Sequence, residues 1–212
     1  MDGVRHSPDQ PTIYVVDDDE AIRDAIMMLL NSAGMRGRSF ASGEEFLANY
    51  TTANTGCLIL DMRMPQMSGF DVLDRLQALK APMPVIFVTG HGDIPMAVEA
   101  MRRGAINFIR KPFTDDELMA CVQEALDEDQ IRRQRQQSLQ EMQLLAERLT
   151  PREHEVFLRV AAGQANKVVA IELGISERTV EIHRGQVMHK TGSRSLADLV
   201  RLKIGLEQER TV

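Results

Sequence analysis

The chain has 212 residues, 43% of them hydrophobic and 26% charged, with a formal net charge of -6. At about 100–200 residues per domain this length predicts one large domain or two small ones, with enough apolar material to bury a core. No apolar run approaches the ~18 residues of a membrane span and "MDGVRHSPDQP" carries no apolar leader, which argues against membrane-embedded and exported classes and predicts a soluble, cytoplasmic chain without a membrane partner.

Charge is uneven along the chain. Residues 1–130 hold 11 Lys and Arg against 21 Asp and Glu, whereas residues 131–212 hold 14 against 10. An acidic front of -10 thus precedes a basic rear of +4, and only the rear invites a polyanion. The only cysteines, Cys57 and Cys121, stand among apolar neighbours, away from any cluster of metal ligands, and are expected to be buried free thiols.

In chain order, "TIYVV" (12–16) predicts a strand and 20–33 a helix; "MRGRSF" (35–40) a strand and 42–50 a helix; "LIL" (58–60) a strand and 68–79 a helix. "VIFVTG" (85–90) then predicts a strand before a helix over 94–104, and "INFI" (106–109) a strand before a helix from 114 onward. Ser42 with Glu45 and Thr114 with Glu117 have capping-box spacing, and Pro95 suits a first helical turn. Five strands alternating with five helices predict a doubly wound, parallel α/β sheet. No Gly or Pro interrupts residues 114–148, so the fifth helix is expected to continue as a linker, with Leu139, Met142 and Leu145 or Ala146 forming one apolar stripe. Two readings of that linker stand: a solvated, partly frayed connector or a coiled-coil-like dimer contact. After Thr150 the pattern is helical throughout, over 151–162, 166–173, 177–191 and 195–205, with "TPRE" (150–153) as a firm start: cap, Pro at the first position and Glu at the third.

Ligands of an open parallel sheet bind beyond the carboxyl ends of the strands, where strand order reverses. The first strand ends in Asp17, Asp18 and Asp19, the third in Asp61, the fourth in Thr89, and the fifth near Lys111, so the polar residues share one edge. Converging carboxylates repel and call for a hard cation such as Mg2+. Asp19 doubles as a helix-cap candidate.

"VVDDD", "LDMRMPQMSG", "VTGHGD" and "RKPF", in this order on these strand ends, resemble the receiver domain of two-component response regulators over residues 12 to about 128. The resemblance implies that Asp61 accepts a phosphoryl group from a sensor histidine kinase. It also implies that Asp17, Asp18, Asp61 and the main-chain carbonyl of Arg63 hold Mg2+, and that Thr89 and Lys111 bind the phosphoryl oxygens. Phe108, on the strand face opposite Lys111, matches the family's aromatic switch; simple core packing is the other reading. The stretch 90–113 resembles the FixJ branch, whose fourth helix and fifth strand form a dimer face, and this places Val98 and Arg102, four residues apart, on that face, with Arg103 beside them; a solvated charge pair is the alternative.

The rear segment 166–192 breaks at Gly174 between two helices, the second capped by Ser176, which is helix-turn-helix spacing. With "LTPREHEVF" and "SLADLV" it resembles the four-helix LuxR/NarL DNA-binding domain. On its second helix Val180, Val187 and Thr191 form the inward stripe, while Arg178, Glu181, Ile182, Gly185 and His189 lie on the other face. By resemblance Glu181, Ile182 and Gly185 face the major groove, and Thr179, Arg184 and Lys190 contact the backbone; the alternative for Glu181 is a solvated helix residue. Three positions depart from the family pattern: Gly185 offers no side chain, Ala165 replaces a capping Ser and leaves Asn166 as substitute, and Thr191 replaces Leu in the inner stripe.

The sequence therefore predicts α/β plus all-α architecture: a flavodoxin-like, five-stranded parallel receiver (1–128), a linker helix (129–148) and a four-helix LuxR-type helix-turn-helix domain (149–212). The expected function is a non-enzymatic transcription factor with only its own phosphorylation and dephosphorylation chemistry. Its expected partners are a sensor histidine kinase, double-stranded promoter DNA, RNA polymerase and, once phosphorylated, a second copy of itself. A haloacid-dehalogenase-type phosphatase would need an acid two residues after its nucleophile, where this chain has Arg63. A constitutive regulator that uses the front domain only for pairing is the remaining alternative, and no GxxxxGK loop supports nucleotide hydrolysis.

Overall fold

The computed structural model describes residues 10–79, 83–90 and 94–209. The leader reading, which rests on residues 1–9, and His91, Gly92 and Asp93 of "VTGHGD" lie outside the described residues. The chain divides into two compact units, Met1–Arg132 and Arg133–Val212.

In the first unit β1 (Thr12–Val16), α1 (Glu20–Ser32), β2 (Arg36–Phe40), α2 (Gly43–Asn49), β3 (Gly56–Asp61), α3 (Gly69–Ala78), β4 (Val85–Thr89), α4 (Ile94–Arg102), β5 (Asn107–Arg110) and α5 (Asp115–Glu147) follow one another. The strands form one parallel sheet in the order β2-β1-β3-β4-β5, as the alternation predicts for parallel strands and the receiver resemblance for the flavodoxin-like order. Strands covered on both faces read as unbroken apolar runs, and every residue of β1, β3 and β4 is buried. The edge strand β2 reads RGRSF and buries only Phe40. Side-chain alternation then builds two cores: Tyr14, Leu58, Leu60 and Phe87 on one face, and Ile13, Ile59, Ile86 and Ile109 on the other, under α1 and α5.

Two glycines position the strand that carries Asp61. Gly56 opens β3 at φ 119°, and a Cβ there would stand 2.0 Å from the Thr12 carbonyl oxygen. Gly69 opens α3 where a Cβ would stand 2.5 Å from the Asp61 carbonyl oxygen, so only glycine lets α3 start this close to the end of β3. Ser68 and Asp71 form the capping box of α3: Ser68 Oγ accepts from the Asp71 N–H and Asp71 Oδ2 from the Ser68 N–H. Ser68→Ala is expected to lower stability by about 1 kcal/mol, read as a shift of the urea midpoint at unchanged slope; no shift would show that the first turn of α3 holds without its cap.

The reading of residues 129–148 as linker needs correction at its start. Asp129 is 1% exposed and its Oδ2 accepts from the Gly56 N–H at 3.0 Å, tying α5 to the foot of β3. Cys57 lies beside this contact, and burial first and the Asp129 charge second push its thiol up to about 12, so it stays protonated. Cys57 and Cys121 are both buried and unbridged.

The second unit holds the end of α5 with α6 (Pro151–Ala161), α7 (Asn166–Leu173), α8 (Glu177–Thr191) and α9 (Leu196–Glu209). Val156, Phe157, Val160, Val169, Val180, Val187 and Leu199 form its core, and Met142 of α5 packs against it. Met142 lies so close to Gly205 of α9 that a Cβ there would come within 2.3 Å of its sulfur, with Leu139 alongside. The linker stripe is therefore used, at least at Leu139 and Met142, within this unit.

Candidate functional site

Parallel pairing brings the ends of β1, β3 and β4 to one edge of the sheet. Asp17 and Asp61 are 3% and 6% exposed there, and Lys111, just past β5, reaches both: Nζ lies 2.6 Å from Asp17 Oδ2 and 3.1 Å from Asp61 Oδ1. The remaining carboxylate oxygens accept from main-chain N–H groups, Asp61 Oδ2 from Arg63 and Asp17 Oδ1 from Asp19. Thr89 is buried at the end of β4, and its carbonyl oxygen accepts from the Lys111 N–H at 2.8 Å.

Asp18 does not join them. Asp17 turns inward to Lys111, whereas Asp18, in the bend that follows the end of β1, is exposed. Asp19 caps α1 by accepting from the Ala21 N–H. The expected convergence of three carboxylates is thus realised for two, and among the described residues no three acidic, His or Cys side chains gather as a metal cage. The chemistry of the donor set still fits a hard cation. Two buried carboxylates share one ammonium, which leaves a surplus negative charge among oxygen donors.

The electrostatics follow from burial. Loss of solvent raises the Asp61 carboxyl above its ordinary value, with the Asp17 charge adding to this and Lys111 opposing it. Burial lowers the Lys111 ammonium, but the hydrogen bond to Asp17 and the two carboxylate charges outweigh it, so its pKa is raised. A buried carboxylate whose ionisation burial opposes and a neighbouring ammonium sustains is the mark of a functional-site candidate. Arg23, which the sequence did not single out, donates from Nη1 to the Asp17 carbonyl oxygen at 2.8 Å; its position four residues after Asp19 on α1 was the available clue.

Phe108 is half-buried and packs against the sheet face that carries Phe87, its register partner. On α4, Val98 is 52% exposed and Arg102 is exposed, with Ile94 and Met101 extending the same apolar stripe at helical spacing. Arg103 is not available to a partner as anticipated. Its Nε lies 2.6 Å from Glu99, its Nη1 3.2 Å from Asp74 on α3, and its guanidinium sits over the Phe70 ring.

In the second unit Gly174, in the left-handed conformation, ends α7, and Ser176 caps α8 by accepting from the Thr179 N–H. The turn sets the two helices as a helix-turn-helix, with Val180, Val187 and Thr191 inward. Thr191 is accommodated because its hydroxyl donates to the Val187 carbonyl oxygen at 2.8 Å, so no buried hydroxyl is left without a partner. Arg178, Glu181, Ile182, Gly185 and His189 are exposed together on the opposite face. Three anticipated contacts are engaged internally. Thr179 Oγ1 pairs with Ser176 Oγ, Arg184 donates to Asn166 Oδ1 at 3.3 Å, and Lys190 Nζ lies 2.6 Å from Glu153 Oε2. Asn166 therefore serves Arg184 and not the α7 cap, where Ala165 supplies no side-chain bond.

Comparison with known proteins agrees with both units. Residues 13–123 match the family described as response regulator receiver domain, and residues 147–203 match bacterial regulatory proteins of the luxR family. The chain is 44% identical over 201 residues to Nodulation protein W of Bradyrhizobium diazoefficiens, covering 94% of this chain and 88% of that one. It is 41% identical to the transcriptional regulatory protein FixJ of the same organism, over 90% of this chain and 93% of the relative. Among solved structures, the response regulator StyR superposes with a TM-score of 0.82 at 42% identity, covering 91% of this chain and 98% of that one.

Proposed function

The chain belongs to the two-component response regulators of the FixJ-like LuxR/NarL branch, and from that membership we propose that Asp61 is the phosphoacceptor of a DNA-binding switch. Phosphorylation of the front domain and DNA binding by the rear one follow from the family, as does its regulation of transcription. The observation that carries the assignment of Asp61 is the single ammonium of Lys111 held between Asp61 and Asp17 in a buried pocket.

Asp61 Oδ1 attacks the phosphorus of a kinase phosphohistidine; the P–N bond breaks, and the histidine nitrogen leaves with the electron pair. Lys111 neutralises charge on the phosphoryl oxygens, and Thr89 donates its hydroxyl to one of them. Mg2+ would be held by Asp17, Asp61 and the Arg63 main-chain carbonyl, with Asp18 joining only by turning in from its exposed position, and would supply further neutralisation of those oxygens when bound. Water attack on the same phosphorus returns the carboxylate and inorganic phosphate. No other substrate is turned over.

Phosphorylation then turns Phe108 inward and pairs two copies through α4 and β5. The apolar stripe of Ile94, Val98 and Met101, flanked by Arg102, is the surface that supports this. The paired DNA-binding domains read adjacent half-sites with Glu181, Ile182 and Gly185, hold phosphates with Thr179, Arg184 and Lys190, and recruit RNA polymerase as an activator in the cytoplasm. The limits that serve this reading are a receiver reaching to Arg132, with Asp129 fastened to Gly56, and a DNA-binding unit from Arg133 that includes the end of α5. Among the described residues no helix is long and apolar enough to cross a membrane.

Molar mass by light scattering, with Mg2+ and before and after beryllofluoride, tests the pairing. A monomer that becomes a dimer is expected in the wild type, and Val98→Asp is expected to stay monomeric while still accepting phosphoryl groups. A monomer throughout in the wild type sinks pairing through α4 and β5, and a Val98→Asp dimer moves the interface elsewhere.

A further inference from the structure

We propose that the amino-terminal edge of the sheet, opposite the Asp61 pocket, carries a second site that binds a small multivalent oxyanion. A cavity of about 310 Å³ opens there, lined by Gln10, Thr12, Tyr14, Arg36, Arg38 and Asn54 among others. Its size is at the lower end of the roughly 300–1,000 Å³ of small-molecule sites. Arg36 and Arg38 alternate on β2 and so share one face, directly beside Thr12 and Tyr14 of β1, their register partners.

The lining is dominated by donors. No carboxylate among the described residues lines the cavity, and Arg36 has no ion pair or hydrogen bond among them. Arg38 is held by a hydrogen bond to Asn49 Oδ1 at 3.1 Å and lies over the Phe40 ring, which presets its guanidinium without neutralising it. Two guanidiniums lining one small cavity repel, and an oxyanion bound between them relieves that repulsion with charge-assisted hydrogen bonds.

Tyr14 adds an independent observation. The Thr51 N–H and hydroxyl both donate to one atom of Asn54 at 2.6 and 2.8 Å, and since a main-chain N–H can only donate, that atom is the oxygen. The Asn54 amide nitrogen therefore donates to Tyr14 Oη at 2.6 Å. Tyr14 is 4% exposed, its oxygen already accepts, and its own proton has no acceptor among the described residues, although a buried hydroxyl proton normally finds one. An oxyanion in the cavity gives it one.

The class of ligand follows from charge and size. Residues 1–130 carry a net -10, which repels a nucleic acid, while two arginines in a small cavity favour a compact di- or trianion. Tyr14, the lining residue farthest along β1, is three residues before Asp17, about 10 Å at ~3.3 Å per strand residue, so the cavity is separate from the Asp61 pocket. Its wall, residues 53–55, precedes Gly56, which Asp129 of α5 holds. The bound anion thus sits next to the point where α5 is fastened to the sheet.

Calorimetry on the full chain in EDTA, with sodium citrate and inorganic phosphate as separate titrants and sodium chloride at matched ionic strength as control, tests the site. One saturable site per chain is expected for citrate, phosphate or both; the response to each tells a carboxylate ligand from a phosphate one. Arg36→Gln, at an exposed position, is expected to weaken binding about tenfold and Tyr14→Phe, which keeps the buried ring, about threefold, with Asp61→Asn binding as wild type. No saturable binding beyond chloride, or Arg36→Gln binding as tightly as wild type, overturns the proposal.

Discussion

Asp61→Asn is expected to abolish phosphoryl acceptance, with acid-labile label from a kinase or from acetyl phosphate and Mg2+ falling by at least about a thousandfold. The amide keeps the shape of the side chain and its bond from the Arg63 N–H, but it is no nucleophile. Stability should move the other way. The folded carboxyl is raised above its unfolded value because burial disfavours the charge, so ionised Asp61 subtracts stability once pH exceeds the unfolded value of about 3.9. The neutral amide removes that cost, and Lys111 keeps Asp17 as partner, so the melting temperature at neutral pH should hold or rise. Lys111→Met gives the contrasting result: two buried carboxylates lose their shared cation, stability falls, and phosphorylation slows by about a hundredfold while the nucleophile persists. Label retained on Asp61→Asn would move the acceptor to another residue, and a large drop in its melting temperature would make Asp61 a structural group.

What the sequence made legible is what periodicity and strand ends encode. The runs around Tyr14, Leu60 and Phe87 are apolar because both faces of those strands are covered, and their alternation with helices is enough to make the sheet parallel and bring Asp17, Asp61, Thr89 and Lys111 to one edge, while the strand order follows from the family resemblance. Pairings between distant residues leave no such trace. Asp129 looks like one more acid in a charged linker, yet it closes on Gly56, 73 positions earlier. Arg103 looks like a free partner for a dimer until Asp74 and Phe70 are seen beneath it. Asp18 belongs to a motif that implies metal binding, and only the bend after β1 shows that, of two adjacent carboxylates, Asp17 turns inward and Asp18 stays exposed. The Arg36 and Arg38 cavity leaves no trace in the sequence for the same reason: there these are two arginines in a short edge strand, and only the pairing with β1 sets Tyr14 beside them.

Lys190 is where family resemblance and structure assign one side chain to two tasks, and their effects separate. By resemblance it grips a phosphate. In the structure its ammonium joins Glu153 Oε2, which also accepts the Thr150 N–H at 2.7 Å, so Lys190 fastens α8 to the capping box that starts α6. Glu153 is 6% exposed, and removing its cation leaves a nearly buried carboxylate short of a partner. Lys190→Met is therefore expected to destabilise the second unit by about 2 kcal/mol at neutral pH, below the ~3–5 kcal/mol of a fully buried pair because Lys190 remains partly in solvent. The pH dependence has a definite sign. Lys190 first, then Thr150, hold the Glu153 carboxyl below its ordinary value, so the stabilisation is complete above the unfolded value of about 4.3 and is lost as pH falls through the lower folded value. Urea midpoints of wild type and Lys190→Met should differ at about pH 7 and converge under acid, and Glu153→Gln should remove most of the difference in a double-mutant cycle. If Lys190→Met instead leaves the midpoint unchanged while DNA affinity drops about tenfold and the salt slope falls by about one, the side chain belongs to the phosphates and the clamp between α8 and α6 is an unimportant contact.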